Sequence, residues 1–435
     1  MLLPANSKEA FKMRTNRAFG LLTGADCDTI ERDEARNGFI HIVSLALTKT
    51  ADSLIDPKLV LSWLLNAVGA PGAFIGALVP VREAGALLPQ LALARRVEAS
   101  AQRKYFWATG SAIQGFAAVG IAIVALTLEG VAAGLAAIVL LAILAVGRSA
   151  SSVSYKDALA RTIAKQRRGA VTGFAASVAS AIAFGVGALM ASGVFAVSVT
   201  PLAAIVAIGG LGFLLASLLF TKLDEAGDCE NVESCTSVQA LIEPLASDKQ
   251  LRLFIAARAA LAVTALAPPF IILLSAASDR TALDQLGPLV MASTSASVLA
   301  SYIWGRVSDR SSRHTLMAAG GLGSIIFLCI GGIALLFGNI GGIVGSAAAI
   351  FAAQISYEGV RAGRKIHLTD MAEDSFRARY TALSNTLIGL ALLAGGLFGF
   401  AADQFGPAAV IVSFGIIAAM GAAVASRLDE VQQSS

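Results

Sequence analysis

Four ionisable residues, Lys49, Asp52, Asp56 and Lys58, stand in an otherwise apolar stretch of the chain. Lys49 and Asp52 are three residues apart and Asp52 and Asp56 four, so on a helix these three share one face. Two carboxylates one turn apart raise each other's proton affinity, because like charges disfavour joint ionisation, while Lys49 opposes that effect. Such a pair is suited to carrying a proton. Structural ion pairing around Pro57 is the competing reading. Arg82 and Glu83 follow in a second apolar stretch. As neighbours they point about 100° apart on a helix and cannot both face one partner. Arg82 can grip a carboxylate or phosphate through two parallel N–H···O bonds, or it can pair structurally with Asp56. Arg258 lies two turns into a later apolar stretch that Pro268-Pro269 interrupts further on. It reads either as a third anion-binding cation or as a side chain reaching for the membrane surface. Together these residues define a candidate site: Lys49, Arg82 and Arg258 for an anionic group, and Asp52, Asp56 and Glu83 for a proton.

The elements that hold these residues follow from the composition. Of 435 residues 56 % are hydrophobic and 14 % charged, against about 25 % charged in ordinary soluble domains. The mean hydropathy is +0.74. Residues 105–128, 169–221, 315–357, 380–402 and 404–426 contain no Asp, Glu, Lys or Arg. About 20 apolar residues cross a bilayer as a helix, so 169–221 and 315–357 must each hold two spans. The pattern excludes a soluble enzyme and a nucleic-acid-binding protein. It also excludes a β-barrel, whose strands would alternate apolar and polar residues. Apolar runs and their punctuation predict twelve spans near 39–66, 72–94, 105–128, 131–151, 170–193, 200–221, 252–277, 285–306, 315–337, 341–362, 379–401 and 405–426. The expected class is an all-α membrane protein.

Orientation follows from the cations. With both termini cytoplasmic, all but five of the 33 Lys and Arg residues fall in or beside cytoplasmic segments, the exceptions being Lys49, Lys58, Arg82, Arg258 and Arg280. The expected location is the inner, cytoplasmic membrane of the cell. The expected organisation is a cytoplasmic extension over 1–36, a six-helix bundle over 37–221, a central loop over 222–250, a second six-helix bundle over 251–428 and a tail over 429–435. Cys229 and Cys235 in the central loop are too poorly spaced for a zinc site and read as reduced thiols. No metal, no cofactor and no nucleotide-binding loop is expected.

The two halves echo each other. Ser154-Tyr155 near the end of the fourth span and Ser356-Tyr357 near the end of the tenth each precede a basic segment, and basic motifs follow the second and eighth spans. Repetition of this kind marks transporter folds in which two bundles rock about a central site. After the eighth span the chain reads Gly305-x-x-x-Asp309-Arg310-x-x-Arg313. This motif, in a chain of six plus six spans, resembles the major facilitator superfamily. The copy after the second span departs from the motif, with Ala94 for the glycine, Glu98 for the aspartate and Arg103-Lys104 one residue late.

The resemblance implies two pseudo-symmetric six-helix bundles, alternating access, and a cavity lined by helices 1, 4, 7 and 10. It implies gating roles for Gly305, Asp309, Arg310, Arg313 and Glu98. A looser match to the family's acid-to-arginine clusters adds Asp157 and Arg161 in the first half and Glu358, Arg361 and Lys365 in the second, with plain positive-inside decoration as the alternative. The family's antiporter motif is absent from the fifth span. The expectation is a secondary transporter, acting as a monomer in the bilayer, for a small solute with a preference for an organic anion, coupled to H+. A drug or metabolite exporter of the same fold, and an assembly protein that kept the fold without transport, are the alternatives.

Overall fold

The computed structural model describes residues 7–23, 33–98, 100, 102–164, 166–192, 198–225, 238–278, 286–371 and 377–432. No strand occurs among the described residues. In lipid every backbone amide must be satisfied within its own segment, which favours helices. The chain forms α1 (Ser7–Thr23), α2 (Glu34–Leu54), α3 (Val60–Ala67), α4 (Gly72–Leu87), α5 (Gln90–Glu98), α6 (Arg103–Thr127), α7 (Gly130–Thr162), α8 (Arg168–Ala191) and α9 (Val199–Phe220). After a further short helix, α10 (Val238–Ser247), come α11 (Lys249–Leu261), α12 (Val263–Ser278), α13 (Leu286–Arg310), α14 (Ser312–Phe337), α15 (Gly342–Met371), α16 (Arg377–Gly395), α17 (Leu397–Phe405) and α18 (Pro407–Ala425).

Ten segments among the described residues are long and apolar enough to cross a membrane. The protein is a multi-pass membrane protein. The first two predicted spans are not among the ten, because each is broken and carries charge. Their neighbours nevertheless show that they run through the same depth. The backbone of α2 lies along α9, with Asn37 bonded to Asp224 at one end and Leu54 and Ile55 against Gly209 towards the other. In the same way α4 and α5 run antiparallel to α16 and α17: Gly72 meets Asp403, Gly76 meets Gly399, Leu88 meets Gly389 and Gln90 bonds Asn385. Twelve passes result.

The packing repeats between the halves. In the first, α6 packs on α7 and α9, α2 on α9, and α4 on α7. In the second, α14 packs on α15 and α18, α11 on α18, and α13 on α15. Small residues set the spacing in both. A Cβ on Gly110 of α6 would sit 2.5 Å from Ser151 Oγ and 2.6 Å from the Gly147 carbonyl of α7. A Cβ on Gly323 of α14 would sit 2.5 Å from Ser356 Oγ of α15. Close backbone approach of this kind supplies the dispersion energy that lipid tails cannot.

The halves join along α4 with α16 and α17, and along α8 with α13. The second joint is made at the side away from the termini, where Gly187 meets Val290 and Met291, and Gly287 meets Met190 and Ala191. At the same far side Asp403 accepts a 2.9 Å bond from the Ala73 amide at the start of α4.

Three expectations need correction. The first span is not one kinked helix but two, separated by a turn over 55–59. Asp56 closes that turn by accepting from the Leu59 amide at 3.0 Å. The fourth and tenth spans, predicted to end near 151 and 362, run on to Thr162 and Met371 as α7 and α15, so Arg364 and Lys365 stand on a helix with Arg361 and not in a loop, and Arg148 lies well inside α7. The N-terminal extension is tied down through α1, whose Phe19 is buried against Ala35, Ile42, Leu159 and Val171.

Replacing Gly110 with leucine forces α6 and α7 apart and is expected to cost about 1–3 kcal/mol or more, read as a lower unfolding temperature in detergent. Gly305→Ala is the control: a Cβ there meets nothing within 4 Å, and the unfolding temperature is expected to stay put.

Candidate functional site

The predicted charges of α2 and α4 do meet, with one partner that sequence reasoning missed. Asp52 Oδ1 accepts from Arg82 at 2.5 Å and from Arg148 at 2.5 Å. The Arg82 side chain is 6 % exposed, Asp52 27 % and Arg148 41 %. Arg148 sits eighteen residues from the start of α7 and fourteen from its end, nearer the side that carries the termini. A charge on a spanning helix faces protein or water, so its exposure marks a water-accessible hollow towards that side. Because Arg82 pairs with Asp52, the alternative of an Arg82–Asp56 pair is wrong. Asp56 serves its own turn as described above, and Lys58 lies over the Tyr357 ring of α15, 3.2 Å from its centre.

The second half faces this cluster with charges of its own. Lys49 lies within electrostatic reach of Asp52, Arg148 and Arg361. Glu83 lies within reach of Arg148, Lys58, Arg364 and Arg82. It makes no hydrogen bond or ion pair among the described residues, and lines a narrow cavity with Tyr357, Arg364, Thr264, Leu261 and Leu392. Arg258 is buried and does not reach for the surface. It donates to Ser384 Oγ at 2.7 Å and to Asn385 Oδ1 at 3.0 Å, and Asn385 in turn donates to Gln90 Oε1 at 3.2 Å. Arg258 thereby joins α11 to α16 and, through one amide, to α5.

The gating set is only partly assembled. Glu358 is buried and accepts from Gln354 at 3.0 Å, Arg361 at 3.2 Å and Ser297 at 3.4 Å, which ties α15 to α13. Lys365 is exposed. Asp157 and Arg161 were expected to act together. Asp157 instead approaches Arg103 Nε at 3.8 Å, while the Arg103 and Lys104 amides bond the Glu225 carboxylate. This network fastens the start of α6 to the ends of α7 and α9, all within the first half. Gly305 makes no close approach, so the steric reason for a glycine there is not met. Arg310 is exposed, and Arg313 donates to the Ser426 carbonyl at 2.9 Å, which again joins helices of one half. The side chains of Asp309 and Glu98, with Cys229 and Cys235, lie outside the described residues.

Arg148 carried a signal in the sequence. It lies inside the predicted fourth span, three residues from its end, and the run of small residues up to Tyr155 that follows lacks any helix breaker, the signal that the helix runs on past 151.

Comparison with known proteins bears on the fold. No family profile and no curated protein sequence matches the chain. Among solved structures, a mutant of the nucleoside transporter NupG superposes with a TM-score of 0.70 at 12 % identity, covering 90 % of this chain and 99 % of that one. A POT family transporter in complex with 5-aminolevulinic acid gives 0.68 at 10 % identity, covering 89 % and 95 %. The xylose transporter XylE from E. coli in its inward-open conformation gives 0.63 at 13 % identity, covering 92 % and 97 %. The chain has the major facilitator fold.

Breaking a partly buried ion pair from one side is expected to cost about 3–5 kcal/mol, whereas replacing both partners with apolar groups is often neutral. Asp52→Asn should therefore lower the unfolding temperature strongly. A triple variant that also replaces Arg82 and Arg148 with methionine should recover most of that loss.

Proposed function

We propose that the chain is a secondary transporter that moves a small organic anion by alternating access, coupled to protons. The carrying observation is the cluster of guanidinium groups from both halves in one hollow: Arg82 and Arg148 on Asp52, with Arg361 and Arg364 opposite. Cations outnumber carboxylates there, and a membrane interior makes an uncompensated charge costly. An anionic solute supplies the missing charge.

With the termini cytoplasmic, as the distribution of Lys and Arg favours, the far-side joints of α8 with α13 and of α4 with α17 close the outer face. The hollow around Arg148 then opens inward. Asp52 is held by two arginines and is a poor proton carrier in this conformation. Glu83 has no hydrogen bond to break and takes that role when the cations around it draw away during the transport cycle.

The test is uptake into proteoliposomes of a panel of labelled small carboxylates, phosphate esters and neutral metabolites, with and without a pH gradient. Uptake of neutral solutes alone would refute the anion reading, and no flux of any solute would refute transport. Arg148→Gln should reduce anion uptake about tenfold or more, since a hydrogen bond to a charged group contributes about 1.5–3 kcal/mol. Glu83→Gln should abolish accumulation driven by the pH gradient while leaving exchange of solute across the membrane intact.

A further inference from the structure

We infer that the site takes a doubly charged small anion, one anionic end on the first half and the other on the second. This inference rests on the anion reading above and narrows it.

Six cations, Lys49, Arg82, Arg148, Arg258, Arg361 and Arg364, gather where the two halves face each other, each within electrostatic reach of Asp52, Glu83 or another of the set. The carboxylates among them are Asp52, Glu83 and Glu358, while Lys58 and Asp56 adjoin each other at the α2–α3 turn. Asp52 is shared by two arginines and offsets one positive charge. Glu358 is engaged by Arg361. Glu83 stands among several cations without bonding any. Three positive charges are left over among the described residues. One negative charge on a ligand leaves most of that excess in place, and two charges remove the greater part of it.

The distribution of the cations points the same way. Arg148 and Lys49 belong to the first half, and Arg361 and Arg364 to the second. Two partly exposed guanidinium groups, Arg148 at 41 % and Arg361 at 58 %, stand on opposite halves, and both lie within reach of Lys49. A single carboxylate can be satisfied by one half alone and then gives the halves no reason to approach. A solute with two anionic groups is satisfied only when both halves contribute. Its binding energy therefore favours a closed arrangement, as a ligand can shift a conformational equilibrium only by its differential affinity for the two states. Neither arginine must abandon its carboxylate entirely, since a guanidinium carries five N–H donors.

The experiment is thermal unfolding of the purified full chain in detergent, with succinate and its monomethyl ester as a matched pair and glycerol 3-phosphate as a compact dianion, all at equal ionic strength. A ligand that binds only the folded state raises the unfolding temperature. The expected result is a clearly larger upward shift with succinate, whose two charges are separated, than with monomethyl succinate or glycerol 3-phosphate. A large shift with glycerol 3-phosphate alone, whose charge sits on one group, would overturn the two-ended arrangement. Arg148→Gln and Arg361→Gln should each reduce the shift from the dianion to that of the monoanion. Equal shifts from monoanion and dianions would overturn this inference and leave the anion reading standing. No shift from any anion, in a protein that unfolds cooperatively, would overturn both.

Discussion

The shared hold of Arg82 and Arg148 on one oxygen of Asp52 is the constraint on which the interior of this protein depends. Three helices, α2, α4 and α7, bring polar groups into the middle of an apolar bundle, and each charge is tolerable there only because the others are present. Burial of an ion pair is weak evidence for stability, because desolvation consumes much of the attraction. Its value here lies in what it organises. Asp52 keeps two guanidinium groups beside the hollow, with Arg82 buried behind and Arg148 half-exposed in front. The carboxylate is in effect a resident counter-ion for both guanidinium groups.

The second half reaches the same hollow by different means. Glu358 orients Arg361 from the same helix, with Gln354 and Ser297 supporting it. Arg258 is occupied by Ser384 and Asn385 and works as a tie between helices. The halves thus share a packing pattern but not a charge pattern. The glycine–serine contacts recur between α6 and α7 and between α14 and α15, whereas the Arg–Asp–Arg arrangement occurs once among the described residues. Packing must repeat if each half is to be stable alone in lipid. The chemistry need not.

Much of the fold was legible in the sequence, because lipid imposes a simple rule: an uncharged block of sufficient length becomes a spanning helix. The third to twelfth passes follow from that rule, and Arg82, Asp52 and Lys49 were recognisable as charges without a surface to reach. What was not legible came from features that length and hydropathy do not encode. Arg148 stood at the flank of a span predicted to end at 151, because a charge normally closes an apolar block, yet α7 continues for fourteen residues beyond it. Asp56 looked like the partner of Asp52, but Pro57 ends the helix and turns its carboxylate onto the Leu59 amide. The cations of α15 read as a gate or as plain positive-inside decoration, and only the docking of the bundles sets Arg361 within reach of Lys49 and Arg364 within reach of Glu83. Pairings across the two halves depend on how the bundles dock, and no local pattern contains that information.

Between α4 and α17, at the far side, the halves touch through almost bare backbone. A Cβ on Gly76 would fall 2.6 Å from the Gly399 Cα, and a carboxylate of one half caps a helix of the other. Such a seam has few interlocking side chains to disengage, so it can act as a fulcrum. A helix of about 20 residues is about 30 Å long, so a tilt of about 10° at one end swings the other by about 5 Å. Leverage of that size asks of the pivot only a slight roll of one smooth surface over another.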